Sequence, residues 1–197
     1  MAVAMLAVGI NLTMLASPAQ AYTALQSAMI NVLSTGPGTV ACWKDVTLDW
    51  ADTNTFVKAD FGNSKRGLLR VATRKIDIGE WEKFTVCRNP SNWQTLIAAQ
   101  YEGTSGVVSV ERADPAPYND ALRARTSAYS IGPWERFTSI NPPSNNGPYG
   151  PYNDTWIYST SASKYVTGCP AAGNFLQASG STGTVCEEFS WSGYRAY

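Results

Sequence analysis

The sequence predicts an all-β domain built from three copies of one β unit. Two observations predict this class: a segment that ends in phenylalanine recurs at even steps, and the composition is typical of short strands and tight turns. The chain has 197 residues, including 16 Gly and 11 Pro, with 12% aromatic and only 15% charged residues. This length suffices for one well-buried domain.

The recurring segment is clearest in its first two copies. Ile78–Thr85 (IGEWEKFT) and Ile131–Thr138 (IGPWERFT) agree at six of eight positions, and Val185–Ser190 (VCEEFS) is a weaker third copy. The closing phenylalanines are separated by 53 and 52 residues: Phe84, Phe137 and Phe189. Such even spacing is typical of an internal structural repeat.

Two further pieces precede each copy in the same order. One piece is Leu69–Ala72, Leu122–Arg125 and Leu176–Ser179, and the other is a β-favouring run at Thr55–Asp60, Thr95–Gln100 and Lys164–Cys169. With an opening run, each unit contains about four short strands and cannot bury its apolar face alone. Three units can share one core, and closure into a barrel removes exposed strand edges.

This alignment makes the second unit longer than the others. It places an insertion of about a dozen residues between Tyr101 and Ala121, where Asp114–Asp120 (DPAPYND) indicates an exposed loop. The offset between Trp81 and Phe84 breaks strict strand alternation, which predicts a bulge or turn between them.

The repeated residues resemble a known family. An aromatic–Val run (Phe56-Val57), then LRART (Leu122–Thr126), then IGPWERF (Ile131–Phe137) resembles the fascin-like β-trefoil repeat, including copies appended to bacterial polysaccharide-degrading enzymes. The resemblance extends from about Val40 to Trp191, and its third copy has Cys186 where the others have tryptophan. It implies a β-trefoil of three four-stranded repeats, in which a six-stranded barrel is capped by three hairpins.

The first residues predict export. Met1–Ala16 is mostly apolar, the first charged residue is Lys44, and Ala19-Gln20-Ala21 is an A-x-A cleavage site. We expect a signal peptide at 1–21, an N-terminal extension at 22–39 and one β-trefoil domain at 40–197, with repeats at about 40–86, 87–139 and 140–191. No basic residue precedes the apolar stretch, so a retained anchor is the alternative. The expected location is extracellular.

Four cysteines predict disulfide bonds: Cys42, Cys87, Cys169 and Cys186. An even number in an exported chain favours two disulfides, and the absence of a C-x-x-C pair argues against zinc. The count alone leaves three pairings open. The β-trefoil resemblance would place Cys42 and Cys87 on neighbouring barrel strands, which implies a Cys42–Cys87 bond and leaves Cys169 with Cys186 inside the third repeat.

Charge and residue types exclude several function classes. Basic and acidic residues both number 15 and form no long block, so we expect no nucleic-acid partner. The chain has no histidine, which excludes a Ser-His-Asp mechanism and the common histidine metal sites. Glu82, Glu135 and Glu187 recur at equivalent positions, which favours one structural task performed three times over catalysis. We predict a monomer without enzymatic activity, cofactor or metal.

Aromatic residues outside the repeated segment are the candidate ligand site. Sugar rings pack on the faces of Trp and Tyr, while nearby polar groups fix their orientation. The predicted ligand-binding residues lie in three polar, turn-like segments: Trp50, Asp52 and Asn54; Asn92 and Trp93; and Tyr118, Asn119 and Asp120. The repeated aromatics, Trp81 and Trp134 among them, are instead expected in the core.

These observations predict a secreted, non-enzymatic protein that binds a polysaccharide or glycan and does not associate with a membrane once processed. Two alternatives stay open. One is a secreted protein-binding or inhibitory trefoil that acts through the loop at 101–121. The other is actin-filament binding as in fascins, which would require the export signal to be misread.

Overall fold

A closed ring of six antiparallel strands forms the centre of the structure, a computed structural model that describes residues 18–35, 37–50, 55–62, 67–74, 78–101, 104–127, 129–139, 153–168, 174–181, 185–192 and 195–196. The ring strands are β1 (Ala41–Trp50), β4 (Phe84–Arg88), β5 (Gln94–Tyr101), β8 (Phe137–Ser139), β9 (Asn153–Ser159) and β12 (Glu188–Ser192). Each pairs with the next, and β12 pairs with β1, which closes the barrel.

Three hairpins project from this ring: β2 (Thr55–Asp60) with β3 (Leu68–Arg74), β6 (Thr104–Glu111) with β7 (Ala121–Thr126), and β10 (Lys164–Thr167) with β11 (Gln177–Gly180). Their ends pair with one another around the approximate threefold axis. A short strand, β13 (Arg195–Ala196), adds to β1. The predicted β-trefoil is therefore confirmed.

The strand pairing corrects the alignment of the second repeat. The counterpart of β2 is β6, whereas the predicted counterpart, Thr95–Gln100, belongs to the ring strand β5. All three hairpins shift register at the same point, at Phe56/Val57, Val107/Val108 and Tyr165/Val166, which fixes this equivalence. A short β-favouring run does not distinguish a ring strand from a hairpin strand, because both alternate in the same way.

The predicted insertion at 101–121 is wrong for the same reason. Most of its first half is β6, and only residues 112–120 connect β6 to β7. The equivalent connection between β2 and β3 spans residues 61–67, so the second repeat exceeds the first by only a short extension.

Each repeat approaches its last strand through a 3-10 turn: Glu80–Glu82, Pro133–Glu135 and Val185–Glu187. This turn is the predicted break between Trp81 and Phe84. The last residue of each turn is a buried glutamate, only 4–6% exposed. Glu82 accepts the Gly79 N–H at 2.8 Å, and Glu135 accepts the Gly132 N–H at 2.7 Å together with the Thr126 hydroxyl. In the first two repeats the acid therefore satisfies a main-chain donor at the entry to a barrel strand.

The core lies on the barrel axis and beneath the hairpins. Phe84, Phe137 and Phe189 are at most 2% exposed and pack with aliphatic side chains from all three repeats. Trp81 and Trp134 are only half-buried, with Lys58 and Arg112 over their rings at 5.5 and 5.7 Å from the centroids. The phenylalanines are core residues as expected, whereas these tryptophans lie at its margin.

Three equivalent residues in the hairpin cap have a left-handed backbone: Gly67 (φ 80°), Asp120 (φ 58°) and Asn174 (φ 65°). The carbonyl of each accepts an N–H from the next hairpin around the axis, donated by Ala124, Ala178 and Val71 respectively. Gly, Asp and Asn are the residue types that adopt this conformation at least cost. Each repeat therefore has, at this position of the cap, a residue type that favours the left-handed conformation.

A helix that the sequence did not predict packs on the outside of the second repeat. The helix, α1 (Pro18–Leu33), buries Leu25, Met29 and Leu33, spaced four residues apart as one face of a helix requires. These side chains cover Leu96 and the disulfide bond between Cys42 and Cys87, both of which belong to the same apolar cluster. Within the described residues, no helix has both the length and the apolar character that crossing a bilayer requires.

Candidate functional site

Trp93 is the most exposed tryptophan among the described residues, at 48% of its surface. It ends the turn between β4 and β5 and has a left-handed backbone with φ 62°. A bulky residue rarely adopts this conformation, and such strain persists only where the surroundings enforce it. The protein therefore holds a large apolar ring in water at a strained position.

The turn that carries Trp93 is fixed by its own asparagines. The N–H of Trp93 donates to the Asn89 carbonyl at 2.9 Å, and the N–H of Asn89 donates to the Gln94 carbonyl at 2.9 Å. The side chain of Asn89 accepts the Ser91 N–H at 2.8 Å, and that of Asn92 accepts the Gln94 N–H at 3.0 Å. These bonds orient the indole before any ligand arrives.

Arg88 lies beneath the indole. Its guanidinium carbon is 4.0 Å from the ring centroid, a cation–π contact, although the arginine itself is only 5% exposed. Burial lowers the pKa of Arg88 from its ordinary value, but an arginine remains charged at neutral pH. Since the guanidinium covers one face of the ring, the exposed surface is the opposite face and the edge.

Gln94, the residue after Trp93, connects this turn to the end of the second repeat. Its side-chain oxygen accepts a hydrogen bond of 2.6 Å from Arg136. Of the predicted site residues, the structure thus brings Asn92 and Trp93 together with two arginines that the sequence did not single out. In the sequence, Arg88 lies outside the repeated segments and Arg136 stands at the position of Lys83 within one of them, so neither arginine was marked as a site residue.

Trp50 has a different environment. It is half-buried at the end of β1, where its indole N–H donates to the Cys186 carbonyl at 3.3 Å and its ring lies against Gly168. This contact joins the first repeat to the third. Asp52 and Asn54, predicted beside it, lie outside the described residues.

The third predicted segment lies at the hairpin cap. Tyr118 is half-buried and packs on Phe175, with ring centroids 5.2 Å apart. Gln177 donates to the main-chain carbonyls of Pro117 and Asn119, and Asp120 holds one of the three left-handed cap positions. The backbone of this loop is therefore hydrogen-bonded to the third repeat. Among the predicted residues of the loop, only Asn119 has an exposed side chain.

Of the predicted disulfides, the Cys42–Cys87 bond is present. Cys186 is also disulfide-bonded, while its predicted partner Cys169 lies outside the described residues, so that pairing stays a prediction. The described residues contain no group of three or more cysteines or carboxylates that could hold a metal ion.

Comparison with known proteins identifies the fold but neither a family nor a function. No protein-family profile and no curated protein matches the sequence. Among solved structures, the chain is similar to ThreeFoil, a designed threefold-symmetric protein (TM-score 0.53, 9% identity, covering 77% of this chain and 97% of that one). It is also similar to the BEL β-trefoil (0.52, 12% identity, 81% and 97% covered). In a mosquitocidal holotoxin the match covers 81% of this chain but 18% of that one (0.53, 14% identity).

Proposed function

We propose that the protein is a secreted, non-enzymatic carbohydrate-binding protein of the fascin-like β-trefoil subtype, with Trp93 at the centre of its site. The observation that carries the proposal is the exposed indole of Trp93, held in a strained turn over a buried guanidinium. The repeated IGEWEKFT and IGPWERFT segments support the subtype.

The geometry suits a sugar because a flat apolar face stands beside polar groups. The C–H groups of a pyranose ring pack on the open indole face, and hydroxyl groups need donors and acceptors at the rim. The exposed side chains of Asn92 and Ser91 supply such groups at the rim of the turn. The turn is already ordered by its hydrogen bonds, so binding requires little further loss of conformational entropy.

The buried Cys42–Cys87 bond supports the extracellular location, since disulfides persist in oxidising compartments. The recurring glutamates support a non-enzymatic role, because Glu82 and Glu135 are occupied in accepting main-chain hydrogen bonds.

A glycan array, combined with retention on insoluble polysaccharides, tests this function. We expect the folded protein to bind at least one glycan, and Trp93→Ala to weaken that binding at least about tenfold, as for an interface hot spot. Tyr129→Ala is the matched control, because it removes an aromatic ring that is 96% exposed but has no buried guanidinium behind it.

Two results would contradict the proposal: no retention of the folded protein on any glycan, or equal loss of binding in the Trp93 and Tyr129 variants. Pelleting with actin filaments or capture of a protein partner, without glycan binding, would instead favour the alternatives predicted from the sequence.

A further inference from the structure

Arg88 differs in its partner from the other arginines whose side chains the structure describes. The structure describes the side chains of six arginines, and five of them reach a carboxylate or an amide oxygen: Arg70 with Asp60, Arg112 with Asp120, Arg123 with Asp114, Arg125 with Glu111, and Arg136 with Gln94. Among the described residues Arg88, at 5% exposure, reaches no carboxylate or amide oxygen and instead contacts the Trp93 ring. Its buried Nε atom has no hydrogen-bond partner, as is also true of Arg70 and Arg123, but those two arginines have a carboxylate partner through another nitrogen.

An unpaired buried cation is costly, because it has lost water and gained no counter-charge. The cation–π contact offsets part of this cost and leaves the Nε–H unsatisfied. Each such buried polar group requires an explanation in a native structure.

Among the described residues, the strand segments and the turn that contact Arg88 contain no acid that could supply the counter-charge. Arg88 pairs with Ala41 of β1 and with Thr95 of β5, and the turn beside it contacts Gly38 and the end of α1. Residues 1–44 and 83–101 contain neither Asp nor Glu. Arg136, bonded to Gln94, adds a second positive charge at this end of the barrel.

We propose that the ligand at this site is an anionic saccharide, whose ring packs on Trp93 and whose carboxylate or sulfate group pairs with Arg88 past the edge of the indole. This inference rests on the proposed function and specifies its ligand class. Among the described residues the indole N–H of Trp93 has no hydrogen-bond partner, so it is available to a ligand oxygen.

The test compares polysaccharides that differ only in charge. Polygalacturonic acid is measured against its fully methyl-esterified form, and dextran sulfate against dextran, by biolayer interferometry with the full chain. We expect at least one acidic polymer to bind about tenfold or more tightly than its neutral counterpart, the size expected of a charge-assisted contact. Preference within the first pair identifies a carboxylate, and preference within the second pair identifies a sulfate.

Arg88→Met removes the charge and keeps an apolar stem of similar shape. We expect it to bind the acidic polymer no better than the neutral one, whereas Lys164→Met, which removes an exposed charge on β10, keeps the preference. If Arg88→Met does not fold, NMR of the wild-type protein tests the contact instead, because a ligand that pairs with Arg88 changes the chemical shift of its Nε–H resonance. Trigalacturonate, or a sulfated dextran oligomer if sulfate is preferred, should shift it.

The outcomes separate the two proposals. Equal binding of charged and neutral polymers overturns the anionic ligand and leaves carbohydrate binding intact. An acidic preference that survives Arg88→Met, or an unmoved Nε–H resonance at saturation, also overturns the role of Arg88. Absence of binding to every polysaccharide contradicts both proposals.

Discussion

The side-chain amide of Asn89 donates a hydrogen bond of 2.8 Å to the main-chain carbonyl of Leu33. Asn89 is fully buried, and its oxygen accepts the Ser91 N–H in the turn that carries Trp93. One side chain therefore fixes both the end of α1 and the start of the proposed binding turn.

Asn89→Ala should lower the free energy of unfolding by about 1–3 kcal/mol, because it leaves a buried carbonyl and a main-chain N–H without partners. Urea denaturation measures this change. Asn92→Ala is the control: its side chain is exposed and accepts one hydrogen bond from Gln94, so we expect a loss below about 1 kcal/mol. Similar losses in both variants would show that Asn89 does not have this double role.

The Cys42–Cys87 bond should be protected from reductants by α1. Met29 is fully buried against it, so reduction in the folded protein requires local opening of the helix. Met29→Ala should weaken the docking of α1 and accelerate reduction by dithiothreitol about 5- to 30-fold, which corresponds to about 1–2 kcal/mol. Alkylation followed by mass spectrometry gives the rate. An unchanged rate would mean that α1 does not control access, and Thr35→Ala, at the exposed end of the helix, should leave the rate as in wild type.

Gly67→Ala should be strongly destabilising. Its φ of 80° strains any side chain, and a Cβ there would overlap the Ala124 carbonyl. Steric clash and strain of this kind cost about 1–3 kcal/mol or more, and each kcal/mol lowers the melting temperature of a domain this size by about 2–4 °C. Asn174→Gly changes the equivalent position without a clash and should alter stability by less than about 1 kcal/mol. Thermal unfolding followed by circular dichroism compares them, and equal effects would refute the steric requirement for glycine at position 67.

Glu135→Ala should cost about 2–3 kcal/mol, because the carboxylate accepts hydrogen bonds from Gly132 and Thr126 at a buried position. Glu80 offers a contrast. It is exposed and pairs with Lys83, whose pKa it raises through their hydrogen bond. Glu80→Ala should cost less than about 0.5 kcal/mol. Denaturant titration measures both, and a Glu135 variant as stable as wild type would contradict the structural role assigned to the repeated acid.

Export with cleavage after Ala21 should leave Tyr22 as the first residue of the mature protein. Leu25, Met29 and Leu33, the buried residues among the described side chains of α1, follow this point, so cleavage preserves their contacts with the barrel. N-terminal sequencing of protein recovered from culture medium checks the prediction. A first residue before Pro18 would instead support the retained segment.

The repeat pattern in the sequence predicted most of the fold. Three phenylalanines at even steps correctly predicted three units around one core, since each is the first or second residue of the barrel strand that ends its repeat. The strand runs were less informative, because β5 and β6 have the same alternation and only their hydrogen-bond partners distinguish a ring strand from a hairpin strand. The helix α1 escaped prediction because its apolar residues continue the apolar stretch interpreted as a signal peptide, and packing on the barrel, rather than local propensity, stabilises it.

The site was predictable only in part. Trp93 stood out in the sequence as an aromatic residue that does not recur between repeats. Arg88 could not be identified, because its special property is the lack of a carboxylate or amide partner among the described residues, and that is visible only when the surrounding side chains are in place. Asp120 was predicted to bind ligand, but its type also suits a left-handed position, and sequence alone does not separate these two uses.

The barrel closes between its first and last strands, where Trp50 pairs with Phe189 and its indole bonds to Cys186, 136 residues further along the chain. A ribosome must therefore release almost the whole domain before the ring can form. Contacts of such long range also slow folding, because loop closure costs entropy before any pairing is gained. The newly made chain consequently remains without its barrel during synthesis, and an unfolded chain of this kind is a form that a translocation channel can accept.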